Sequence, residues 1–282
     1  MRPGISGRSI LAAVLAVLLG AAAAFAQEST LDAVKKRGTL NAGVKYDLEP
    51  FGYVNKDGKV AGFDVDVAGY IAKKLGVGVD YKQVTSQNRI PLLLNGNVDL
   101  LICTMNPTRE RAKVVDFTRP YFMSGTMLMV KKGSAVKSVA DLEAPRSLGI
   151  AHGASERETF LALQPKGKVA LFTEWPQAVL ALKNGKVDGV MNEGVLLDRF
   201  VKDNQDLVVL DKVYKPAPYA IAVRLNDSKW RQFVEEALMD MWMDGTYAEI
   251  TKKNIGHEAT YDIGVWPDYY DDLNKKKAQG QK

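Results

Sequence analysis

The feature that most constrains the fold is a short motif that occurs twice. Residues 95–99 read NGNVD and residues 184–188 read NGKVD, 89 residues apart, and an apolar run follows each copy. The glycine is typical of a helix end and the apolar run of a buried strand, so each copy predicts a helix that leads into a parallel strand. Five residues beyond the shared aspartate stand Thr104 and Glu193. Because open α/β sheets bind ligands beyond the carboxyl ends of strands, two similar lobes facing across a cleft are favoured over chance similarity.

The remaining sequence alternates short β-branched runs with helical segments, which indicates an α/β fold with largely parallel sheets. Residues 55–58, NKDG, lie between two short strands and predict a hairpin turn. Asp64 is expected to cap the helix that follows, and Gly76 to end it. Later, an apolar stripe with helical spacing predicts a long core-facing helix that Asp227 or Ser228 can cap.

The N-terminal segment reads as an export signal. Arg2 and Arg8 precede an apolar run over 10–26, and the run ends in AFA, the small-x-small form of a signal-peptidase site. The alternative is a membrane anchor, but the run is short and no charged stop-transfer cluster follows it. We therefore expect residues 1–26 to be a signal peptide and the mature chain to begin near Gln27.

The formal charge of +5 lies mostly outside the predicted folded body. Two positive charges belong to the signal peptide, and the tail over 271–282 holds four lysines against two aspartates. The body is therefore nearly neutral and lacks the basic footprint of nucleic-acid binding. The only cysteine, Cys103, cannot form an intramolecular disulfide, and two histidines cannot build a His-rich metal site. We expect no cofactor and no metal.

Three segments carry a family resemblance. In this order, residues 62–68 (GFDVDVA), 104–111 (TMNPTRER) and 116–121 (DFTRPY) resemble the polar amino-acid family of periplasmic solute-binding proteins. The resemblance extends from about residue 31 to about residue 254. Within the family, residues 85–93 (TSQNRIPLL) are similar to the members that bind glutamate and aspartate.

The resemblance implies an α/β fold with two lobes, the type II periplasmic-binding-protein or Venus flytrap arrangement. Each lobe is then a mostly parallel sheet flanked by helices, and two hinge crossovers join the lobes. The expected division is a signal peptide over 1–26, lobe 1 over 31–124 and 219–258, lobe 2 over 125–218, and a C-terminal extension over 259–282.

The resemblance also implies the residues that hold the ligand backbone. Arg111 holds the α-carboxylate, assisted by Thr104 and Asn106, because a guanidinium offers two parallel donors to a carboxylate. From the second lobe, Ser155 adds a hydroxyl at a helix start, where backbone N–H groups bind anions; its alternative role is that of an N-cap alone. Glu193 accepts from the α-ammonium at a position where the family usually has aspartate.

By the same resemblance, Arg89, with Ser86 beside it, and Lys45 face a side-chain carboxylate of the ligand. The expected site thus contains three cations, Arg111, Arg89 and Lys45, and one acid, Glu193. This surplus of positive charge suits a ligand of net negative charge. Leu48 stands where binders of cationic amino acids commonly carry an aromatic platform, which argues against lysine or arginine. Four residues near the site are less specific and are as readily explained by packing or solvent exposure: Tyr219, Trp175, Cys103 and His152.

The sequence thus predicts a periplasmic, monomeric receptor that captures L-glutamate or L-aspartate by hinge closure and delivers it to an ABC permease and ATPase pair. One alternative is a binder of another polar amino acid such as glutamine. A second is an exported prephenate or arogenate dehydratase with Glu193 as general acid, and a third is the sensing domain of a receptor. We expect no enzymatic activity, because the proposed site offers no second acid/base group and no nucleophile pair.

Overall fold

The computed structural model describes residues 28–257 and Gly264. The predicted signal peptide lies outside these residues, as does the C-terminal extension apart from Gly264. None of the helices within the described part of the chain is long and apolar enough to cross a membrane. The helices are α1 (Thr30–Arg37), α2 (Phe63–Leu75), α3 (Arg89–Leu94), α4 (Glu156–Leu163), α5 (Trp175–Lys183), α6 (Gly194–Asp203), α7 (Ser228–Met243) and α8 (Thr246–Ile255). The strands are β1 (Thr39–Val44), β2 (Asp47–Leu48), β3 (Gly52–Val54), β4 (Val60–Ala61), β5 (Gly78–Gln83), β6 (Leu100–Leu101), β7 (Val115–Lys131), β8 (Ser147–Ala151), β9 (Lys168–Phe172), β10 (Gly189–Glu193) and β11 (Leu207–Arg224).

Eight strands form one sheet in the order β5-β1-β6-β11-β7-β10-β8-β9, and β2, β3 and β4 form a small antiparallel sheet. In one half β5, β1 and β6 run parallel, and in the other half β10, β8 and β9 run parallel. The predicted α/β class with mostly parallel sheets is therefore confirmed in both halves.

The two central strands join the halves. β7 has 17 residues and β11 has 18, and they pair antiparallel along their length. β11 also pairs with β6 of the first half, and β7 with β10 of the second half. These long strands correspond to the two predicted crossovers, and because each is continuous the halves share one sheet. The exact lobe boundaries stay a prediction.

The repeated motif has the same structure in both copies. Gly96 and Gly185 have φ of 76° and 68° directly after the helices that lead to β6 and β10. The shared aspartates have equivalent partners: Asp99 Oδ2 accepts from the backbone N–H of Asn41 at 2.7 Å, and Asp188 Oδ2 from that of Ser147 at 2.8 Å. Each motif therefore ties its new strand to the neighbouring parallel strand.

The predicted helix ends are confirmed with one exception. Gly76 ends α2 in the left-handed conformation, residues 55–58 connect β3 to β4, and Asp227 caps α7 by accepting from the Trp230 N–H at 3.2 Å. The prediction that Asp64 caps α2 was wrong, because no side chain caps that end. The Asp64 carboxylate turns into the core instead, where it accepts from the Tyr121 hydroxyl at 2.8 Å.

Candidate functional site

A narrow cavity lies where the carboxyl ends of β1, β6, β8 and β10 meet. The cavity has a volume of about 30 Å³. Both halves contribute to its lining, as the crevice rule for open α/β sheets predicts. The lining residues are Lys45, Leu48, Ser86, Arg89, Thr104, Asn106, Ala151, Ala154, Ser155, Glu156, Trp175, Met191, Asn192 and Glu193.

Seven of the nine predicted ligand-binding residues line this cavity. The two others, Arg111 and Tyr219, do not line it. Tyr219 is fully buried among aromatic rings, with Phe51 and Phe122 at centroid distances of 5.1 and 5.7 Å. Its packing among these rings fits the alternative explanation, and its predicted role as a ligand contact stays a prediction. The ligand-binding role of the seven cavity residues remains a prediction.

Thr104 has an unusual backbone conformation at the end of the β6 run. Its φ is 51°, in the left-handed region that β-branched residues rarely adopt. The Thr104 N–H donates to Asp64 Oδ2 at 3.1 Å, so the buried carboxylate holds this turn in place. Burial, opposed by the bonds from Tyr121 and Thr104, raises the pKa of Asp64 to about 7. Asp64 is thus a positioning residue for the Thr104 turn, and not the helix cap that the sequence predicts.

Asp64 predicts a pH dependence of stability. Since its pKa is raised from 3.8 to about 7 on folding, its contribution to the free energy of unfolding is fully present below about pH 4 and is lost as pH rises to about 7. The wild-type free energy of unfolding should therefore decline between pH 4 and pH 7. We expect Asp64→Asn to reduce the slope of this decline by up to about 1.4 kcal/mol per pH unit, the value for one proton. Denaturant unfolding across this range measures the slope.

Asp66→Asn is the control, because Asp66 lies on the same helix but forms an ion pair with Lys253 at the surface. This variant should leave the slope unchanged. Equal slopes for Asp64→Asn and wild type would contradict the role of Asp64.

Close contacts between the two halves hold the cleft closed. The Ser155 hydroxyl donates to Asn106 Oδ1 at 2.9 Å, and Arg111 Nη2 donates to the Gly153 carbonyl at 3.0 Å. Gly153 has φ of 81°, and a Cβ there would lie 2.6 Å from the Ser86 carbonyl oxygen. Only glycine permits this approach of two backbones, since it tolerates the left-handed conformation and has no side chain.

Arg111 lies beside the narrow cavity rather than in its lining. Its Nη1 donates to the Asn106 carbonyl at 2.7 Å, and the residue lines a wider neighbouring cavity of about 680 Å³ together with His152 and Arg157. Burial and the nearby Arg89 charge lower the pKa of Arg111 to about 10, so it stays protonated at neutral pH. The Arg111 guanidinium now donates to two backbone carbonyls. To bind an α-carboxylate directly, as predicted, it has to exchange these partners for the ligand.

Two buried carboxyl groups face the cavity from the second half. Glu193 at the end of β10 is 3% exposed, and Glu156 at the start of α4 is 5% exposed. Burial and the Glu156 charge hold the pKa of Glu193 well above its usual range, and burial and the Glu193 charge do the same for the pKa of Tyr219. A cationic group placed between the two carboxyls would relieve this repulsion.

Lys45 already has acidic partners. Its Nζ is 2% exposed and lies 3.8 Å from Asp47 Oδ1 and 3.6 Å from Glu174 Oε2. Burial and a hydrogen bond with Asp47 raise the pKa of Glu174 to about 7, so this carboxyl pair holds a proton readily near neutral pH. The charge of Lys45 is balanced within the protein, which weakens the prediction that it faces a ligand carboxylate.

Arg89 enters the cavity from the start of α3. It is 4% exposed, and its Nη1 donates to the Cys103 carbonyl at 3.1 Å, while its Nε has no hydrogen-bond partner among the described residues. Burial raises the pKa of the Cys103 thiol, which therefore stays protonated, as expected of an inert core cysteine. Arg89 thus has both a fixed position and a donor to spare.

The charge balance of the cavity differs from the predicted one. Two cations, Lys45 and Arg89, face two carboxyl groups, Glu156 and Glu193, in the lining, whereas three cations against one acid had been expected. Glu156 does not stand out in the sequence, because an acid in the first turn of a helix is also what the helix dipole favours. An acidic residue at that position therefore gives no separate signal of a site.

The fold and the cavity together define a two-lobed periplasmic-type binding protein, in which two α/β halves joined by paired crossovers enclose a polar cleft. The chain belongs to the bacterial extracellular solute-binding proteins of family 3, since residues 40–257 match the model of that family.

Individual relatives agree with this assignment. The chain is 41% identical over 198 residues to a glutamine-binding protein of Geobacillus stearothermophilus. The matched region covers 68% of this chain and 75% of the relative. It is 35% identical over 241 residues to the glutamine-binding protein GlnH of an ABC transporter of Bacillus subtilis, covering 84% and 88%. Other relatives are named for cystine, arginine or histidine. The solved structure of AncCDT-1, an ancestral amino acid-binding protein and precursor of cyclohexadienyl dehydratase, matches with a TM-score of 0.76 and 33% identity, covering 80% of this chain and all of that one.

Proposed function

We propose that this protein is the extracytoplasmic receptor of an ABC amino-acid importer and that its ligand is glutamine. The single observation that carries the choice of ligand is that two buried cations of the lining face two buried carboxyls, so that these charges balance once the α-ammonium of a ligand ionises both carboxyls. A charge buried without a partner is strongly unfavourable, so a cavity of zero net charge best accepts a ligand of zero net charge.

The ends of a zwitterion have complementary partners. The α-ammonium fits between Glu193 and Glu156, where it relieves their mutual repulsion. The α-carboxylate fits near Arg111, Ser155 and the backbone turn at Thr104, after the Arg111 donors exchange carbonyl partners for the ligand. This arrangement uses residues from both halves, so the bound ligand favours the closed state.

The side chain of the ligand is then neutral and polar. Glutamate or aspartate would add a negative charge that the two lining cations, already matched by Glu156 and Glu193, do not balance. Arginine would bring a cation against Lys45 and Arg89. The names of two relatives at 41% and 35% identity support glutamine as the choice among neutral amino acids.

Export and partners follow from the same proposal. The N-terminal segment has the features of a signal peptide, which supports export of the receptor from the cytoplasm, and the chain belongs to a family of extracellular proteins. A Bacillus subtilis relative is named as part of an ABC transporter, and we propose that this chain likewise delivers its ligand to a permease and ATPase pair.

The dehydratase alternative has one observation in its favour, the raised pKa of Glu193, since a general acid must be protonated near neutral pH. Against it, prephenate is a dianion, and the cavity places two carboxyl groups where that dianion would have to lie. Turnover of prephenate by the purified protein would support the enzyme; we expect none.

A thermal-shift panel tests the proposal. We expect glutamine at about 100 times its Kd to stabilise the protein by roughly 2.7 kcal/mol, with clearly smaller shifts for glutamate, aspartate, arginine and cystine at the same concentration. Glycine, which lacks a side chain, serves as the control for backbone recognition alone. A response to glutamate and silence with glutamine would overturn the choice of ligand.

A further inference from the structure

Trp175 lines the cavity and is not explained by the ligand-backbone contacts. It is 2% exposed, and it begins α5, opposite Leu48 of the other half. Its position is fixed by a capping box, in which the Glu174 side chain accepts from the Gln177 N–H and Gln177 Oε1 accepts from the Glu174 N–H. The ring also makes an edge contact with Phe200 at a centroid distance of 5.8 Å and an angle of 85°.

Packing accounts for the ring of Trp175 but not for its polar atom. Nε1 is buried and has no hydrogen-bond partner in the part of the chain that the structure describes. An indole N–H is a donor only, and buried tryptophans normally give it to an acceptor. Trp230 shows the usual arrangement, because its Nε1 donates to the Asp99 carbonyl at 2.9 Å.

The surroundings of Trp175 define what acceptor would suit. Arg89, which lines the same cavity, also has a buried Nε without a partner among residues 28–257. Two residues of the lining therefore each carry a buried donor without a partner, one neutral and one cationic, in addition to the groups assigned to the ligand backbone. Two donors are complementary to a carbonyl oxygen, which has two lone pairs, and not to a guanidinium, an ammonium or an aliphatic chain.

We propose that Trp175 is a specificity-determining residue whose indole N–H donates to the side-chain oxygen of the bound amino acid, with Arg89 Nε as the second donor to that oxygen. The inference rests on the proposed function, since it assigns a role within the same cavity. It makes the site selective for ligands with a terminal carbonyl over isosteres that lack one. Such selectivity is strong because an isostere without an oxygen would leave both buried donors unpaired in the complex.

The test compares glutamine with norleucine, whose side chain has similar length and no oxygen, in wild type and Trp175→Phe. Phenylalanine keeps an aromatic ring and removes the N–H. By titration calorimetry we expect Trp175→Phe to weaken glutamine roughly tenfold or more and norleucine by a much smaller factor. Trp230→Phe removes an indole N–H outside the cavity lining and should leave the ratio of the two affinities unchanged.

A spectroscopic readout separates hydrogen bonding from packing. The protein has four tryptophans, so its indole N–H signals are few, and Trp175→Phe identifies the signal of Trp175 by its disappearance. We expect glutamine to shift this signal downfield in the wild type. If wild type does not bind glutamine, the proposed function fails. If wild type binds glutamine but Trp175→Phe weakens both ligands equally, or neither, the role of Trp175 is overturned while the proposed function stands.

Discussion

Gly153→Ala is expected to weaken ligand binding roughly tenfold to a hundredfold. The added Cβ would lie 2.6 Å from the Ser86 carbonyl oxygen and 2.9 Å from the Ser86 carbonyl carbon, and both are backbone atoms that cannot rotate away. Overpacking of this kind costs about 1–3 kcal/mol, and here only the closed cleft contains the contact. The substitution therefore acts on closure, and titration calorimetry measures its effect.

Gly185→Ala is the matched control for the backbone conformation. Gly185 has φ of 68°, close to the 81° of Gly153, but a Cβ at Gly185 meets nothing within 4 Å. Both variants should lower the free energy of unfolding by about 1–2 kcal/mol, because an L-residue is disfavoured in the left-handed region. Only Gly153→Ala should lose affinity. Wild-type affinity in Gly153→Ala would show that ligand binding does not need this interlobe approach.

Glu193→Gln is expected to reduce glutamine affinity by roughly 2–5 kcal/mol without destabilising the free protein. The carboxylate is the proposed partner of the α-ammonium, and removing one member of a desolvated charge pair has an effect of this size. In the free protein, however, burial and Glu156 disfavour the ionised form of Glu193, so a neutral amide of the same shape is tolerated. Calorimetry gives the affinity and denaturant unfolding at pH 8 gives the stability.

Glu158→Gln provides the control for Glu193→Gln. Glu158 lies on the same α4 helix as Glu156 but lines the wider cavity at the surface, so its removal should change neither quantity appreciably. If Glu193→Gln binds glutamine as tightly as wild type, Glu193 does not bind the α-ammonium. The proposed orientation of the ligand would then lose its main support.

The sequence alone predicted the parts of the site that depend on local patterns. Thr104 and Glu193 were predicted as site residues because the repeated motif places each of them at a fixed distance after a helix end. Both then lie at the carboxyl end of a strand, and these strand ends meet at one edge of the sheet. The structure brings both to the same cavity. The α/β class followed from the same periodicity, since parallel strands require helical connections.

The parts that were missed depend on contacts distant in sequence. Asp64 reaches Thr104 and Tyr121, 40 and 57 residues away, and nothing in its local sequence distinguishes such a buried acid from a helix cap. Arg111 is held by the Gly153 carbonyl of the other half, a contact that only lobe closure creates. Glu156 changes the charge balance and hence the proposed ligand, yet in sequence it is an ordinary first-turn acid.

The central claim is that a cavity of zero net charge selects a neutral amino acid. The most direct test is the ratio of Kd values for glutamine and glutamate, measured on the wild-type protein by titration calorimetry at pH 7. These ligands have the same length and differ by one charge, so the ratio reports on charge balance. We predict that glutamine binds at least about tenfold more tightly, a difference of about 1.4 kcal/mol or more. Glutamate binding as tightly as glutamine, or more tightly, would contradict the account.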